Sequence, residues 1–86
     1  MRSLACEAGS SLLILGGGSV GLSAVMGAKI QGCATIIVVE PQAGRRALAL
    51  ELGATHAIDP VASPDLAAAV RAISPIGVDY AFDTTG

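Results

Sequence analysis

Two hydrophobic rhythms alternate along the chain. Ser11–Leu15 and Thr35–Glu40 are short, nearly uninterrupted apolar runs, the pattern of strands buried on both faces. Thr35 to Val39 is β-branched throughout, which suits a pleated, packed surface. Between these runs, Val20 to Gln31 predicts a first helix with small residues Gly21, Ala24 and Ala28 available to pack closely, and Gly32 stops it. Arg45–Leu52 predicts a second helix, with Gly53 at its C′ position. Thr55–Ile58 predicts a short third strand ended by Asp59-Pro60. Ser63-Pro64-Asp65 then reads as an N-cap, a proline at the first helical position and an acid in the first turn. Leu66, Val70 and Ile73 form one apolar stripe of a third helix, Pro75-Ile76-Gly77 breaks it, and Val78–Asp83 is a fourth strand.

The resulting order, β-α-β-α-β-α-β, predicts an α/β fold with a parallel sheet, right-handed crossovers and strand order 3-2-1-4. Two helices are expected on one face and the third on the other. A doubly wound domain takes roughly 100 to 200 residues, so the 86 residues read as a truncated Rossmann-type unit lacking the usual last two strands. The whole of 1–86 is then one partial domain, with 1–9 as a leader. Its fourth strand becomes an edge with unpaired backbone groups, and self-association is expected through that edge or through the bare sheet face.

The chemistry is concentrated between the first two strands. Gly16, Gly18 and Gly21 form G-x-G-x-x-G between a strand and a helix, and Glu40 ends the next strand, 19 residues beyond Gly21. A dinucleotide site needs this arrangement. Gly16 permits the tight turn, Gly18 lets the backbone approach a pyrophosphate, and Gly21 lets the helix lie against the sheet. Ser19 and Val20 would offer backbone N–H groups at the helix N-terminus, where the helix dipole also favours anions. Glu40 would accept hydrogen bonds from the adenosine ribose hydroxyls and repel a 2′-phosphate, favouring NAD over NADP. Arg46, next to Arg45, is ambiguous, because two arginines near the pocket are able to receive that phosphate.

Composition narrows the partners. The chain is 52 % hydrophobic, has a formal net charge of −2 and no basic block, which argues against nucleic acid and anionic membrane surfaces. No apolar run reaches the roughly 18 residues of a membrane span, and Glu7 interrupts the early apolar stretch before a signal segment can form. Cys6 and Cys33 make no metal-ligand pattern and are expected as free thiols in a reducing cytoplasm. No metal site and no catalytic residue is expected in this chain. His56 has no nucleophile or carboxylate to pair with and is expected as a partly buried strand residue.

Gly9-Ser10-Ser11-Leu12 before the glycine turn, then Ala28-Lys29, Glu40, Arg45, Glu51-Leu52-Gly53-Ala54-Thr55, Gly77-Val78-Asp79 and Phe82-Asp83-Thr84-Thr85-Gly86 together resemble the cofactor domain of zinc-dependent, medium-chain alcohol dehydrogenases. The last stretch is similar to aryl- and benzyl-alcohol dehydrogenases. The resemblance implies an NAD-dependent oxidoreductase whose catalytic zinc sits in a separate domain, absent here. It also implies that Arg45 lies near the adenosine ribose and that Thr84 and Thr85 run along the nicotinamide ribose. Most of that family carries Asp where this chain has Glu40, which is one methylene longer.

Other readings stay open. An FAD-type fold also uses a glycine turn and an acid, but favours Gly or Ala where Val25 stands. A nucleoside-binding methyltransferase would not need the complete glycine motif. A stand-alone nucleotide-binding module without catalysis is the non-enzymatic alternative.

Overall fold

The computed structural model describes residues 9–84; residues 1–8, Thr85 and Gly86 lie outside the described residues. Four strands, β1 (Ser11–Leu15), β2 (Thr35–Val39), β3 (His56–Ile58) and β4 (Tyr80–Asp83), alternate with helices α1 (Ser19–Gln31), α2 (Ala43–Leu52) and α3 (Leu66–Ile73). The sheet order is β3-β2-β1-β4 and every pairing is parallel, as the alternation predicts.

Register explains how the two faces differ. Leu12 and Ile14 of β1 lie opposite Ile36 and Val38 of β2, while Ile14 also lies opposite Phe82 of β4. These side chains share one face with Ala24, Val25 and Ala28 of α1 and Ala49 of α2. Ile37, Val39 and Ile58 point to the other face, where Leu66, Val70 and Ile73 of α3 meet them. The α1/α2 face is close-packed because its helices bring alanines to the sheet. The α3 face is thinner: Leu13 and Leu15 are only half-buried. A groove of about 390 Å³ opens there between Leu13, Leu15, Leu66, Val70, Arg71 and Val78. Strand β1 is thus not sealed equally on both faces, because a single eight-residue helix covers that side.

Side chains account for the shifts in element ends. Asp65, not Ser63, caps α3, its carboxylate accepting from Ala68 N–H at 3.1 Å. Ser63 instead closes the preceding turn through its N–H to the Asp59 carbonyl at 2.9 Å. Thr55 drops out of β3 because its hydroxyl accepts from Ile36 N–H at 2.9 Å, taking a place a strand carbonyl would fill. Asp79 delays the start of β4 to Tyr80 in the same way, accepting from Ser11 N–H at 2.9 Å. Helix α2 starts at Ala43, two residues before Arg45, since Gln42 is extended and its carbonyl already accepts from Arg46 N–H at 3.0 Å. His56 is exposed, not partly buried. Cys33 is disulfide-bonded rather than a free thiol, and Cys6 lies outside the described residues.

The glycine turn positions α1. Gly16 has φ 103°, a left-handed conformation that a side chain would strain, and its N–H donates to Val39 O at 2.8 Å. A Cβ on Gly21 would stand 2.0 Å from Gly16 O, so the first turn of the helix rests on the turn that launched it. Backbone sits on both sides of that contact and has little room to yield. We expect Gly21→Ala to cost at least about 3 kcal/mol, the upper range for overpacking, with thermal unfolding by circular dichroism falling on the order of 10 °C or more. A melting temperature within a few degrees of wild type would contradict this packing.

Candidate functional site

The carboxyl ends of β1 and β2 face a cleft of about 590 Å³ lined by Gly16, Gly18, Ser19, Val20, Glu40, Arg45 and Thr84, with Val39, Pro41, Pro60 and Leu66 among its apolar walls. Clefts in open parallel sheets form at this end of the strands, where the connections diverge.

The floor of the cleft is backbone. Gly18, the extended N-cap of α1, supplies no side-chain cap, and the first turn of α1 holds no acid. The opening N–H groups of a helix have no intrahelical partners, so this end of α1 presents uncompensated positive charge to the cleft. A Cβ on Gly18 would meet nothing within 4 Å. Unlike Gly21, Gly18 is not demanded by the protein's own packing; the space beside it is open.

Glu40 is the one buried charged side chain among the described residues, only 3 % exposed. Its Oε1 accepts from Gly17 N–H at 2.7 Å and its Oε2 from Gln42 N–H at 2.9 Å. The side chain thereby ties the glycine turn to the β2–α2 turn. A carboxylate has about four acceptor positions, so these two bonds leave acceptor capacity on a residue that lines the cleft. Burial pushes its pKa up, but the Gln42 and Gly17 N–H groups, with Arg45 and Arg46 nearby, outweigh it and hold the carboxyl below its usual value.

The two arginines divide. Arg45 is exposed and lines the cleft. Arg46 turns away from it: Nη1 donates to the carbonyls of Glu40 and Pro41, each at 2.9 Å, and stands 3.6 Å from Asp59 Oδ2. Asp59 also closes a turn, accepting from Val61 N–H at 2.9 Å. Thr84 N–H and Oγ1 both donate to Leu15 O at 2.9 Å, and Oγ1 also reaches Gly16 O at 3.3 Å. That hydroxyl pins the β4 end to the glycine turn and keeps its lone pairs. The structure thus brings Gly16, Gly18, Ser19, Val20, Glu40, Arg45 and Thr84 to one cleft. Gly21 stands behind it as packing.

Sequence reasoning missed Gly17 and Gln42. A Cβ on Gly17 would lie 3.1 Å from Glu40 Cγ, so the middle glycine of Gly16-Gly17-Gly18 makes room for the acid. The signal was present, since G-x-G does not require glycine at its middle position. His56 lies outside the cleft with Nδ1 2.9 Å from Thr55 Oγ1. Among the described residues no group of three or more His, Cys, Asp and Glu is placed to hold a metal ion, so they do not fit a zinc site. No helix among them is long and apolar enough to cross a membrane.

A carboxyl whose pKa is lowered in the folded state contributes stability that is present above its unfolded value and lost as pH falls through the folded one. Glu40→Gln keeps the shape but leaves a buried N–H without its acceptor, at a cost of about 1–3 kcal/mol. In urea titrations at several pH values, the wild-type advantage over Glu40→Gln should be full at pH 7. It should fade on acidification below the ordinary carboxylate value. An advantage unchanged down to pH 3 would mean the carboxylate is not what these amides recognise.

The family model described as zinc-binding dehydrogenase matches residues 19–86. Geraniol dehydrogenase from Castellaniella defragrans is 54 % identical over 86 residues, covering 100 % of this chain and 23 % of its own length. The crystal structure of benzyl alcohol dehydrogenase from Acinetobacter calcoaceticus superposes with TM-score 0.91 at 40 % identity, over 99 % of this chain and 23 % of that one. A structure from Sinorhizobium meliloti 1021 bound to NADP has TM-score 0.77 and 42 % identity, over 90 % of this chain and 23 % of that one. The chain therefore spans less than a quarter of the length of these three relatives. With its parallel sheet, its glycine turn and its cleft, the chain belongs to the zinc-binding dehydrogenase family and corresponds to part of the cofactor-binding domain of its alcohol dehydrogenases.

Proposed function

We propose that the cleft is an NAD site and that the chain is the dinucleotide-binding portion of an alcohol dehydrogenase, one domain over 1–86. The observation that carries this reading is the uncapped N-terminus of α1 beside the open space at Gly18. Together they suit a pyrophosphate approaching closely enough to accept from the first N–H groups of the helix, at Ser19 and Val20. Gly16 shapes the turn beneath it and Gly21 holds the helix in place. Glu40, through its remaining lone pairs, would take the adenosine ribose hydroxyls, and Arg45 would lie beside the same ribose. Pro41, Pro60 and Leu66 offer apolar walls for the base. Thr84 and Thr85 would follow the nicotinamide ribose.

A bound nicotinamide supplies hydride transfer. This chain's share is to bind and orient it. No catalytic residue is assigned here, and the zinc named by the family is assigned to residues outside this segment. An aromatic or terpenoid alcohol is the substrate class that the names of the relatives suggest. The proposed setting is cytoplasmic, although the Cys33 disulfide removes the thiol argument for it.

NAD is favoured over NADP because a buried carboxylate lines the cleft and Arg46 is committed to backbone carbonyls. The NADP-bound relative supports the opposite choice. Calorimetric titration of the purified protein with NADH and NADPH decides between them. We expect NADH to bind at least about tenfold more tightly, the scale of one charge-assisted hydrogen bond. Gly18→Ala should fold normally and lose most NADH binding. Preference for NADPH, or a Gly18→Ala protein that binds as well as wild type, would overturn the assignment.

No nucleic-acid or membrane partner is proposed. Self-association is proposed through the outer edge of β4 or the groove beneath α3, because an edge strand leaves backbone donors and acceptors unpaired. Sedimentation velocity across a range of concentrations should show a concentration-dependent dimer. A constant monomer would remove this proposal.

A further inference from the structure

Arg46 lies in the first half of α2 with its side chain only 22 % exposed. Successive helical residues point about 100° apart, so Arg45 faces the cleft while Arg46 faces the turn that carries Glu40. One guanidinium nitrogen, Nη1, spends its donors on Glu40 O and Pro41 O. From the other side, Glu40 N–H donates to Ile58 O at 2.9 Å. Asp59, the next residue of β3's exit, stands beside the same Nη1. The backbone of Glu40 is thus held by β3 on one side and by Arg46 on the other, and its carboxylate is left a single reach, to Gly17 and Gln42.

We propose that Arg46 is a positioning residue for dinucleotide selection. By fixing the carbonyls on either side of the Glu40–Pro41 bond it holds the Glu40 carboxylate in the cleft, and so sets the preference for NADH without touching the cofactor. This rests on the NAD reading above. The competing role, a ligand for a 2′-phosphate, would fall to Nε and Nη2, since both donors of Nη1 are spent on carbonyls, and Arg46, unlike Arg45, does not line the cleft.

The test compares NADH and NADPH affinities of wild type, Arg46→Ala, Arg46→Lys, Glu40→Gln and the Glu40→Gln/Arg46→Ala double variant, alongside hydrogen exchange at the Gly17 and Gln42 amides. Arg46→Ala should bind NADH about tenfold more weakly and NADPH within about twofold of wild type, so that the ratio of the two falls. Its Gly17 and Gln42 amides should exchange faster. Arg46→Lys, which retains a donor for the carbonyls, should recover part of both effects. The double variant should bind NADH no worse than Glu40→Gln alone, because a residue acting through Glu40 has nothing left to act on.

Loss of NADPH affinity alone would make Arg46 a phosphate ligand. Equal loss of both dinucleotides would make its role general stability. Unchanged exchange at Gly17 and Gln42 would overturn the positioning while leaving the NAD site standing. Wild-type protein that binds neither dinucleotide would overturn the NAD reading, and the selectivity argued here with it. Should Arg46→Ala lose its fold, Arg46→Lys carries the same comparison.

Discussion

The carboxylate of Glu40 is the joint on which the cleft depends. A charge with only 3 % of its surface exposed is costly to bury unless its lone pairs are met. Here two backbone N–H groups meet them, one from Gly17, 23 residues away in sequence, and one from Gln42, two residues away. The bond to Gly17 holds the turn after β1, and the bond to Gln42 holds the turn after β2. Neighbouring parallel strands are joined along their lengths by the sheet ladder, but their exits have no such ladder. Glu40 supplies the cross-tie at the place where the ladder stops. Glu40 also lines the cleft, so the residue that ties the two turns together borders the space between them.

Around that joint four glycines do different things. Gly16 turns the chain with a positive φ. Gly17 clears space for the Glu40 side chain, and Gly21 clears space for the Gly16 carbonyl. Of these four, only Gly18 clears space that nothing in the protein fills. A glycine whose missing side chain meets protein records a packing constraint. One whose missing side chain meets open space, beside an uncapped helix end and on the wall of a cleft, leaves room for a group from outside.

Most of the architecture was legible because short apolar runs alternated with helical stripes, and the 3-2-1-4 order followed from parallel topology. Element ends were less so. Ser63 against Asp65 at the start of α3, and Thr55 and Asp79 at the ends of strands, were decided by side chains bonding to backbone in another part of the sheet. No local pattern contains that information. The acid at position 40 was legible as a site residue, but its grip on Gly17 and Gln42 was not, since it depends on how the two loops approach. Arg45 and Arg46 were indistinguishable as neighbours in sequence. The helical rotation between them, and the carbonyls waiting on one side, sent one to the cleft and the other to the turn. The disulfide at Cys33 also went against expectation, because two isolated cysteines say nothing about distance in space.

The longest helix among the described residues, the 13-residue α1, begins without a side-chain cap. Helices ordinarily close that end with a serine, threonine or aspartate of their own. In α1 Gly18 supplies none, and that end of the helix borders the cleft. A bound phosphate would then be both cargo and the last piece of the helix. Occupancy and folding would then be two readings of one equilibrium, since an anion held at that end would stabilise the helix that the sheet already holds in place.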